Sequence, residues 1–410
     1  MTEGCFDARR IRRLFPALAE GLAHFDGPGG TQVPFPVLDA VAASLRSAVS
    51  NRGGAFASSR RADETVRAAR TAVADLVGGV PDGVVLGPSM TALTYVMANA
   101  LAKTWRPGDE VVLTRLDHDA NVRPWAQAAG RAGVTVRWID VDPETCMLRD
   151  PEDVIGERTR LVAVTGASNA VGTRPDLAEV TVLTHGVGAL TYVDGVHLTP
   201  HAPVDVGTLG ADLYTCSAYK FCGPHVAAVV ADPAVLEGLR PDKLQPAPDT
   251  VPGRFEHGTP PFELHAGLAA TVDYLADLVP GDGTRRDRVR ESMAAVEAYE
   301  AGLFARLLEG LEAMPGVTTY GAAVRRTPTV GLRVAGRTPR QVAEALGARG
   351  ICVWDGDHYA REFMRAMGLL DAGGMVRVGI SHYTSVDEVD RLLAALADVD
   401  SGRGGSARKG

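Results

Sequence analysis

Residues 83–231 alternate between short apolar runs and segments long enough for a helix, and this alternation constrains the fold more than any other feature. The apolar runs predict strands at 83–86, 110–114, 134–139, 161–165, 190–193, 213–215 and 226–230. Between them, 91–105, 121–132 and 176–186 are long enough for helices, and two of these three carry apolar residues at helical spacing. The pattern predicts an α/β fold: a large domain with a mostly parallel seven-stranded sheet flanked by helices.

Polar residues follow several of these apolar runs. They are Ser89, His118, Asn169, Asp194 and Lys220. In open parallel sheets, ligands bind beyond the carboxyl ends of the strands. The five side chains therefore predict a ligand site at one edge of the sheet.

The pattern changes near residue 280, where Pro280-Gly-Asp-Gly283 predicts a turn and a domain boundary. The rest of the chain predicts a smaller α+β C-terminal domain, with helices at 286–314, 339–349 and 386–399 and strands at 329–334, 351–354 and 375–380. We expect an N-terminal segment packing on the small domain (1–24), a large domain (25–280), a small domain (281–400) and a disordered tail (401–410).

Composition excludes several classes of protein. The 410 residues carry a net charge of -8, which offers no basic surface for nucleic acid. No apolar run is long enough to span a bilayer, and the charged N-terminus lacks a following apolar segment, so we expect a cytoplasmic protein without membrane contact. The five cysteines show no paired spacing, which argues against a disulfide framework and against a metal site.

Lys220 lies in Leu213-Tyr-Thr-Cys-Ser-Ala-Tyr-Lys-Phe-Cys-Gly-Pro-His225, between a strand end and a Gly-Pro turn. Most lysines near strand ends are solvated surface residues. A lysine held beside strand ends can instead be a desolvated amine, which forms a Schiff base with a carbonyl cofactor.

Each of the other polar residues has a functional and a structural interpretation. Ser89 and Thr91 open a helix, where free amides and hydroxyls bind phosphate or simply cap the helix. Asp194 can pair with the protonated nitrogen of a pyridine ring or cap a loop. His118 can stack on a flat cofactor, and Asn169 can donate to a phenolate oxygen, but a lone His or Asn in a loop is often structural.

Taken together and in this order, the motifs resemble the class V aminotransferase family of pyridoxal phosphate enzymes, close to its cysteine desulfurase-like branch. The resemblance runs from about Phe25 to Leu396. Its carriers are Phe25-Asp-Gly-Pro-Gly-Gly-Thr-Gln32, the Gly87 loop, Asp117-His-Asp-Ala-Asn121, Ser168-Asn-Ala-Val-Gly172, Val193-Asp-Gly-Val-His197, Ser217-Ala-Tyr-Lys220, Glu256-His-Gly-Thr-Pro260 and Arg377-Val-Gly-Ile-Ser381.

The resemblance implies a role for each matching residue. Lys220 would form the Schiff base with pyridoxal 5'-phosphate and then move the Cα proton, while Asp194 would pair with the ring nitrogen and His118 would stack on the ring. The remaining cofactor contacts would come from Ser89, Met90 and Ser217 at the phosphate, Asn169 and His197 at the phenolate side, and Thr259 at the phosphate of the other subunit of a homodimer. Arg377 would hold the α-carboxylate of an amino-acid substrate.

Two departures from the family pattern affect these expectations. Tyr219 stands where the family usually has His, immediately before the lysine. Cysteine desulfurases carry a nucleophilic cysteine on a loop upstream of the arginine, whereas here that stretch reads Trp354-Asp-Gly-Asp-His-Tyr-Ala-Arg-Glu-Phe363. Cys352 reads as a small buried hydrophobe, and Cys222 is a weak candidate for carrying sulfur.

Three reactions therefore stay open. They are β-elimination from a cysteine-derived substrate, transamination or epimerisation, and decarboxylation with oxidative deamination. We favour β-elimination, with His358, Tyr359 and Arg361 reading the group attached to sulfur. The non-enzyme alternative is an inactive cofactor-binding regulator.

Overall fold

The computed structural model describes residues 6–401. The strands are β1 (Ala23–His24), β2 (Val84–Gly87), β3 (Glu110–Thr114), β4 (Thr135–Ile139), β5 (Thr159–Thr165), β6 (Leu190–Asp194), β7 (Leu213–Ser217), β8 (Ala227–Ala231), β9 (Val317–Tyr320), β10 (Thr329–Val334), β11 (Ile351–Cys352), β12 (Trp354–Gly356) and β13 (Met375–Gly379).

The α-helices are α1 (Ala8–Arg12), α2 (Phe35–Arg46), α3 (Ala57–Val77), α4 (Met90–Ala102), α5 (Arg123–Ala132), α6 (Leu177–Gly186), α7 (Val206–Leu209), α8 (Pro233–Glu237), α9 (Phe262–Ala276), α10 (Arg285–Glu312), α11 (Pro339–Gly347), α12 (Arg361–Ala366) and α13 (Val386–Asp400). Short 3-10 turns at Gly27–Gly29, Asp119–Asn121 and Ala218–Lys220 border the site described below.

The large domain is built on a seven-stranded sheet of order β2-β8-β7-β6-β5-β3-β4. All neighbouring strands run parallel except β8, which is antiparallel to both β2 and β7. Two apolar cores cover the two faces of the sheet, one built around α3, α9 and part of α10 and the other around α4 and α5. The predicted fold class is therefore confirmed, and the seven predicted strands lie within two residues of the observed ones.

The smaller domain has an antiparallel sheet of order β12-β13-β10-β9, covered by α10, α11 and α13. The strand β9 and the helices α2, α3 and α9 were not predicted from the sequence. One strand was also predicted over 351–354, where the chain forms two: β11 pairs with β1, and β12 pairs with β13. The chain leaves one sheet for the other at Val353.

The N-terminal segment contacts both domains. Arg10 donates to the carbonyl oxygen of Leu278 at 2.6 Å, and Arg12 pairs with Glu388 of α13. The strand β1 pairs in parallel with β11. The proposed domain boundaries stay a prediction, and the expected disordered tail lies outside the described residues apart from Ser401.

Two negative findings concern residues 6–401 only. None of their helices combines the length and the apolar character needed to cross a membrane. Nor do their His, Cys, Asp and Glu side chains cluster in any group of three or more that could hold a metal ion.

Candidate active site

A cavity of about 750 Å³ opens at the carboxyl ends of the parallel strands, between the two domains. All but two of the cofactor-binding and substrate-binding residues predicted from the sequence line it. They are Ser89, Met90, His118, Asn169, Asp194, His197, Ser217, Lys220, His358, Tyr359 and Arg377. The exceptions are Arg361 and Thr259, and Thr259 lies on an exposed loop.

One end of the cavity is the N-terminus of α4. The hydroxyl of Ser89 caps this helix by accepting a hydrogen bond from the amide of Ala92 at 3.1 Å. The first amides of a helix have no partner within it, and the helix dipole favours an anion there. Ser217 reaches the same cavity from the end of β7. The arrangement fits a phosphate group.

Asp194 is the last residue of β6 and is almost fully buried. Its Oδ1 accepts a hydrogen bond from the amide of Val196 at 2.9 Å. Burial raises the pKa of Asp194 to about 6, against the lowering effects of that hydrogen bond and of Lys220. A cationic ring nitrogen beside the carboxylate would offset this desolvation.

His118 lies in the loop that follows the carboxyl end of β3. Burial lowers the pKa of His118 to about 4, with further lowering from the positive charges of Lys220 and Arg377, so the imidazole is neutral at pH 7. Its Nδ1 accepts a hydrogen bond from the amide of Ala120 at 3.0 Å. The ring is stacked with that of Tyr359, with centroids 5.5 Å apart and planes 19° apart. A neutral flat ring suits stacking rather than charge pairing.

Asp117 and Asn121 form a hydrogen-bond network beside His118 that was not predicted from the sequence. Asp117 is buried and accepts hydrogen bonds from the side chains of Thr114 and Asn121, and Asn121 accepts one from the indole of Trp125 at 3.0 Å. Burial raises the pKa of Asp117 to about 8. This network holds the loop after β3, but Asp117 and Asn121 stand out in the sequence only as part of a motif.

Lys220 ends the 3-10 turn that follows β7. Its Nζ donates to the carbonyl oxygen of Pro28 and lies 4.9 Å from the centroid of the Tyr219 ring. Burial lowers the pKa of Lys220 to about 7, helped by Arg377 and opposed by Asp194. Close to half of the amine is therefore unprotonated at pH 7, the form that attacks a carbonyl.

The Gly-rich segment 25–32 is hydrogen-bonded to this turn. The amide and the hydroxyl of Thr31 donate to the carbonyl oxygen of Tyr219 at 2.9 and 3.1 Å. The hydroxyl of Thr31 also accepts from the amide of Cys222 at 2.7 Å. A Cβ at Gly29 would lie 2.4 Å from Nε1 of Trp354, so a larger residue there would force the Trp354 side chain to move. The segment thus joins the Lys220 turn to the small domain.

The phenolate-side candidates are Asn169 and His197, and Asn169 has a polar atom without a partner. Asn169 donates from Nδ2 to the carbonyl oxygen of His358 at 2.9 Å, while its buried Oδ1 has no partner in the protein. Nε2 of His197 lies 3.0 Å from the hydroxyl of Thr329, and burial holds the pKa of His197 well below its ordinary value.

Arg377 enters the cavity from β13 of the small domain. Its Nη1 donates to the carbonyl oxygen of Asn169 at 2.9 Å, and its Nε is buried without a partner in the protein. Burial lowers the pKa of Arg377 to about 10, so it stays positively charged at pH 7. An unpaired buried guanidinium suits a carboxylate ligand.

The loop between β12 and α12 covers the cavity. His358 and Tyr359 both have left-handed backbones, with φ of 53° and 56°. The carbonyl oxygen of Tyr359 accepts from the amide of Asp119 at 2.7 Å, and Nε2 of His358 lies 3.1 Å from the carbonyl oxygen of Met375. Arg361 pairs with Asp357 at 3.3 Å and does not itself line the cavity. This placement weakens the expectation that Arg361 reads the group on sulfur.

Among the described residues, no cysteine lines the cavity. Cys222 is fully buried, and burial raises the pKa of its thiol to about 12. Cys352 is partly exposed in β11, and burial raises the pKa of its thiol as well. Neither thiol is placed or ionised as a sulfur-accepting nucleophile.

Comparisons with known proteins identify the family of this chain. Residues 23–392 match the family described as Aminotransferase class-V. An uncharacterized protein of Mycobacterium tuberculosis is 37% identical over 96% of this chain and 99% of its own length. A probable cysteine desulfurase of Pseudomonas aeruginosa is 33% identical over 94% of this chain and 96% of its own.

Among solved structures, the apo cysteine desulfurase of Thermococcus onnurineus NA1 has a TM-score of 0.87 and 26% identity, covering 96% of this chain and 98% of its own. The chain therefore belongs to the class V aminotransferase family, in its cysteine desulfurase-like branch, and its cofactor is pyridoxal 5'-phosphate.

Proposed function

We propose that this enzyme cleaves the C–S bond of a cysteine-derived substrate by β-elimination, without a persulfide-forming cysteine. The proposal is supported by the residues that line the cavity. The cavity brings together a partly unprotonated lysine amine and a buried arginine whose Nε has no partner in the protein, but no thiol from the described residues.

The residues present fit the cofactor. Nδ2 of Asn169 makes one hydrogen bond within the protein and keeps a second N–H for an acceptor oxygen, and the start of α4 lines the same cavity with its free amides. Asp194 would hold the ring nitrogen, His118 would pack against the ring, and Ser89, Met90 and Ser217 would hold the phosphate. Bound there, pyridoxal 5'-phosphate supplies an electron sink for the bonds at Cα of an amino acid.

Arg377 would orient the substrate. A guanidinium binds a carboxylate in bidentate fashion, and its planar geometry fixes the direction of the carboxylate. One nitrogen of Arg377 already donates to Asn169, while Nε has no partner. The α-carboxylate of an amino acid would satisfy it and place Cα within reach of Lys220.

Lys220 would move the proton. With its pKa lowered to about 7, its amine can accept the Cα proton at neutral pH and return it to a leaving group. In β-elimination Cα loses a proton, a double bond forms between Cα and Cβ, and the C–S bond breaks with both electrons staying on sulfur. The sulfur leaves as a thiol, and water converts the released enamine to pyruvate and ammonium. The reaction needs no oxidant, reductant or protein thiol.

The experiment is a product analysis with L-cysteine and a panel of S-substituted cysteines. We expect equal amounts of pyruvate, ammonium and thiol from the true substrate. A desulfurase would instead turn L-cysteine into alanine and leave the sulfur on the protein. Alanine without pyruvate would contradict the proposal.

The same panel separates the remaining candidates. An aminotransferase would yield a 2-oxo acid that keeps its sulfur, an epimerase would yield the D-amino acid, and an oxidative decarboxylase would yield carbon dioxide. A regulator without catalysis would change no substrate, although amino acids would still perturb its visible spectrum.

We also infer a homodimer with the site at the subunit interface. Thr259 is exposed and remote from the cavity of its own chain, as expected of a residue that completes the partner's phosphate site. Large apolar side chains exposed on α2 and before α3, namely Phe35, Leu38, Leu45 and Phe56, also support association. Light scattering at several concentrations tests it. A cytoplasmic location stays a prediction.

A further inference from the structure

A small void shares Lys220 and His197 with the active-site cavity. Its volume of about 10 Å³ holds about one water molecule. Besides these two residues, its lining includes His201, Glu300, Ser381 and His382 among apolar neighbours. These polar side chains can provide the two or more hydrogen-bond partners that an ordered water needs.

Glu300 of α10 lies against this void with an unsatisfied oxygen. Its side chain is 1% exposed, Oε2 lies 2.8 Å from Nδ1 of His201, and Oε1 is buried without a partner in the protein. A buried carboxylate oxygen without a hydrogen bond is costly. One water in the void would satisfy Oε1 and bring a hydrogen-bonding group close to Lys220.

His201 and Glu300 also line a groove of about 750 Å³ on the other side of the pair. The groove contains the ion pair of Glu297 and Arg174, whose side chains are 43% and 19% exposed. Solvent therefore reaches the groove. The pair of His201 and Glu300 separates this solvent from the void beside Lys220.

We propose that Glu300, held in place by His201, carries protons between Lys220 and the solvent of this groove, through one water in the void. The proposal rests on the proposed function, because it takes Lys220 to be the group that accepts the Cα proton. The lysine ammonium gives a proton to the water, and the water gives one of its own to Oε1 of Glu300. The carboxyl of Glu300 then releases a proton to the solvent of the groove, which it also lines, and returns to the carboxylate.

The other ionisable groups around the void are less suited to the role. His197 is occupied by Thr329, and His382 lies 2.7 Å from the hydroxyl of Tyr274. Burial lowers the pKa of His382 to about 3 and holds that of His197 well below its ordinary value. Of these residues, only His201 and Glu300 line both the void and the groove.

Burial of the Glu300 carboxyl favours its reversible protonation. Burial raises the pKa of Glu300, with His201 opposing the shift and the nearby Glu297 adding to it. A carboxyl with a raised pKa takes up a proton at neutral pH more readily than an exposed glutamate does.

The test is the exchange of the Cα hydrogen of L-alanine in D2O, followed by NMR with the holoenzyme. Alanine has no leaving group, so exchange reports on proton transfer and not on elimination. We expect Glu300→Gln to slow exchange by on the order of tenfold or more at saturating alanine, the lower range of what a general acid–base group contributes. The KM for alanine should not change. The matched control is Glu309→Gln, an exposed position on the same helix outside the groove, which should exchange like the parent enzyme.

Glu300→Asp distinguishes a relay from a structural role. Gln is isosteric with Glu and keeps a hydrogen bond to His201, so a purely structural role predicts that Gln is tolerated better than Asp. A relay predicts the reverse, because Asp keeps an ionisable carboxyl. A crystal structure of the cofactor-free protein should also show a water bound to Oε1 of Glu300.

Three outcomes would overturn the relay: parent-like exchange in Glu300→Gln, better exchange in Gln than in Asp, or a dry void. These outcomes differ from failure of the proposed function. If exchange persists in Lys220→Ala, the assignment of the base is wrong and the relay falls with it. If exchange depends on Lys220 and no pyruvate forms, elimination alone is wrong.

Discussion

Arg377 of the small domain and Asn169 of the large domain are joined by a hydrogen bond of 2.9 Å from Nη1 to the backbone carbonyl oxygen. Both residues line the active-site cavity. The side chain of Asn169 in turn donates to the backbone of His358 on the covering loop. The group expected to bind substrate is thus held in place by contacts between the domains.

Replacing Arg377 tests its role in binding the substrate carboxylate. In Arg377→Lys the charge remains but the planar pair of donors is lost. One charge-assisted hydrogen bond contributes about 1.5–3 kcal/mol, so we expect KM to rise on the order of 10- to 100-fold. Steady-state kinetics measures this. Arg306→Lys, which changes a surface ion pair with Asp390, should leave KM as it is.

Replacing Lys220 tests the cofactor linkage. Lys220→Ala should abolish the visible absorbance band that the lysine forms with pyridoxal 5'-phosphate, together with turnover, because its amine is the buried, partly unprotonated one in the cavity. Absorbance spectra of the purified proteins decide the point. Lys103→Ala, which removes a surface lysine paired with Asp242, is the control and should keep the band. A band that survives in Lys220→Ala would place the linkage elsewhere.

The lowered pKa of Lys220 predicts how cofactor capture depends on pH. Only the unprotonated amine attacks a carbonyl, and its fraction rises with pH through the pKa. With a pKa of about 7 rather than the ordinary 10.5, the capture rate should rise up to about pH 7 and then level off. Stopped-flow mixing of cofactor-free protein with pyridoxal 5'-phosphate measures this.

Asp194→Asn should shift the pH dependence of the capture rate in a known direction. Asp194 raises the pKa of Lys220, so its neutralisation should move the midpoint to lower pH. A capture rate that keeps climbing beyond pH 9 in the parent protein would contradict a lowered lysine pKa.

Cysteine replacements test the absence of a sulfur-carrying thiol. Cys222 is buried with a pKa raised to about 12, and Cys352 lies outside the cavity. We therefore expect Cys222→Ala and Cys352→Ala to keep full turnover. Iodoacetamide should not inactivate the folded protein. Loss of turnover in either variant, with an unchanged melting temperature, would restore a persulfide mechanism.

Many residues of the candidate site could be predicted from the sequence because each lies at the end of a strand that the local sequence pattern reveals. Ser89, His118, Asn169, Asp194 and Lys220 each follow a strand, and a parallel sheet gathers strand ends at one edge. The short strand β9 escaped notice because half of its residues are exposed, which leaves no continuous apolar run. Glu300 and His201 also went unnoticed, since a glutamate in a charged helix and a lone histidine resemble solvated residues.

The sequence by itself predicted the sheet, the cofactor and a set of residues that line one cavity, because strand periodicity and short motifs are properties of neighbouring residues. Only the tertiary structure decided the protonation states, the covering of the cavity by the loop around Tyr359, and the void between Lys220 and Glu300. These depend on burial by elements far apart in the chain, and burial is what lowers the pKa of Lys220 and raises that of Glu300.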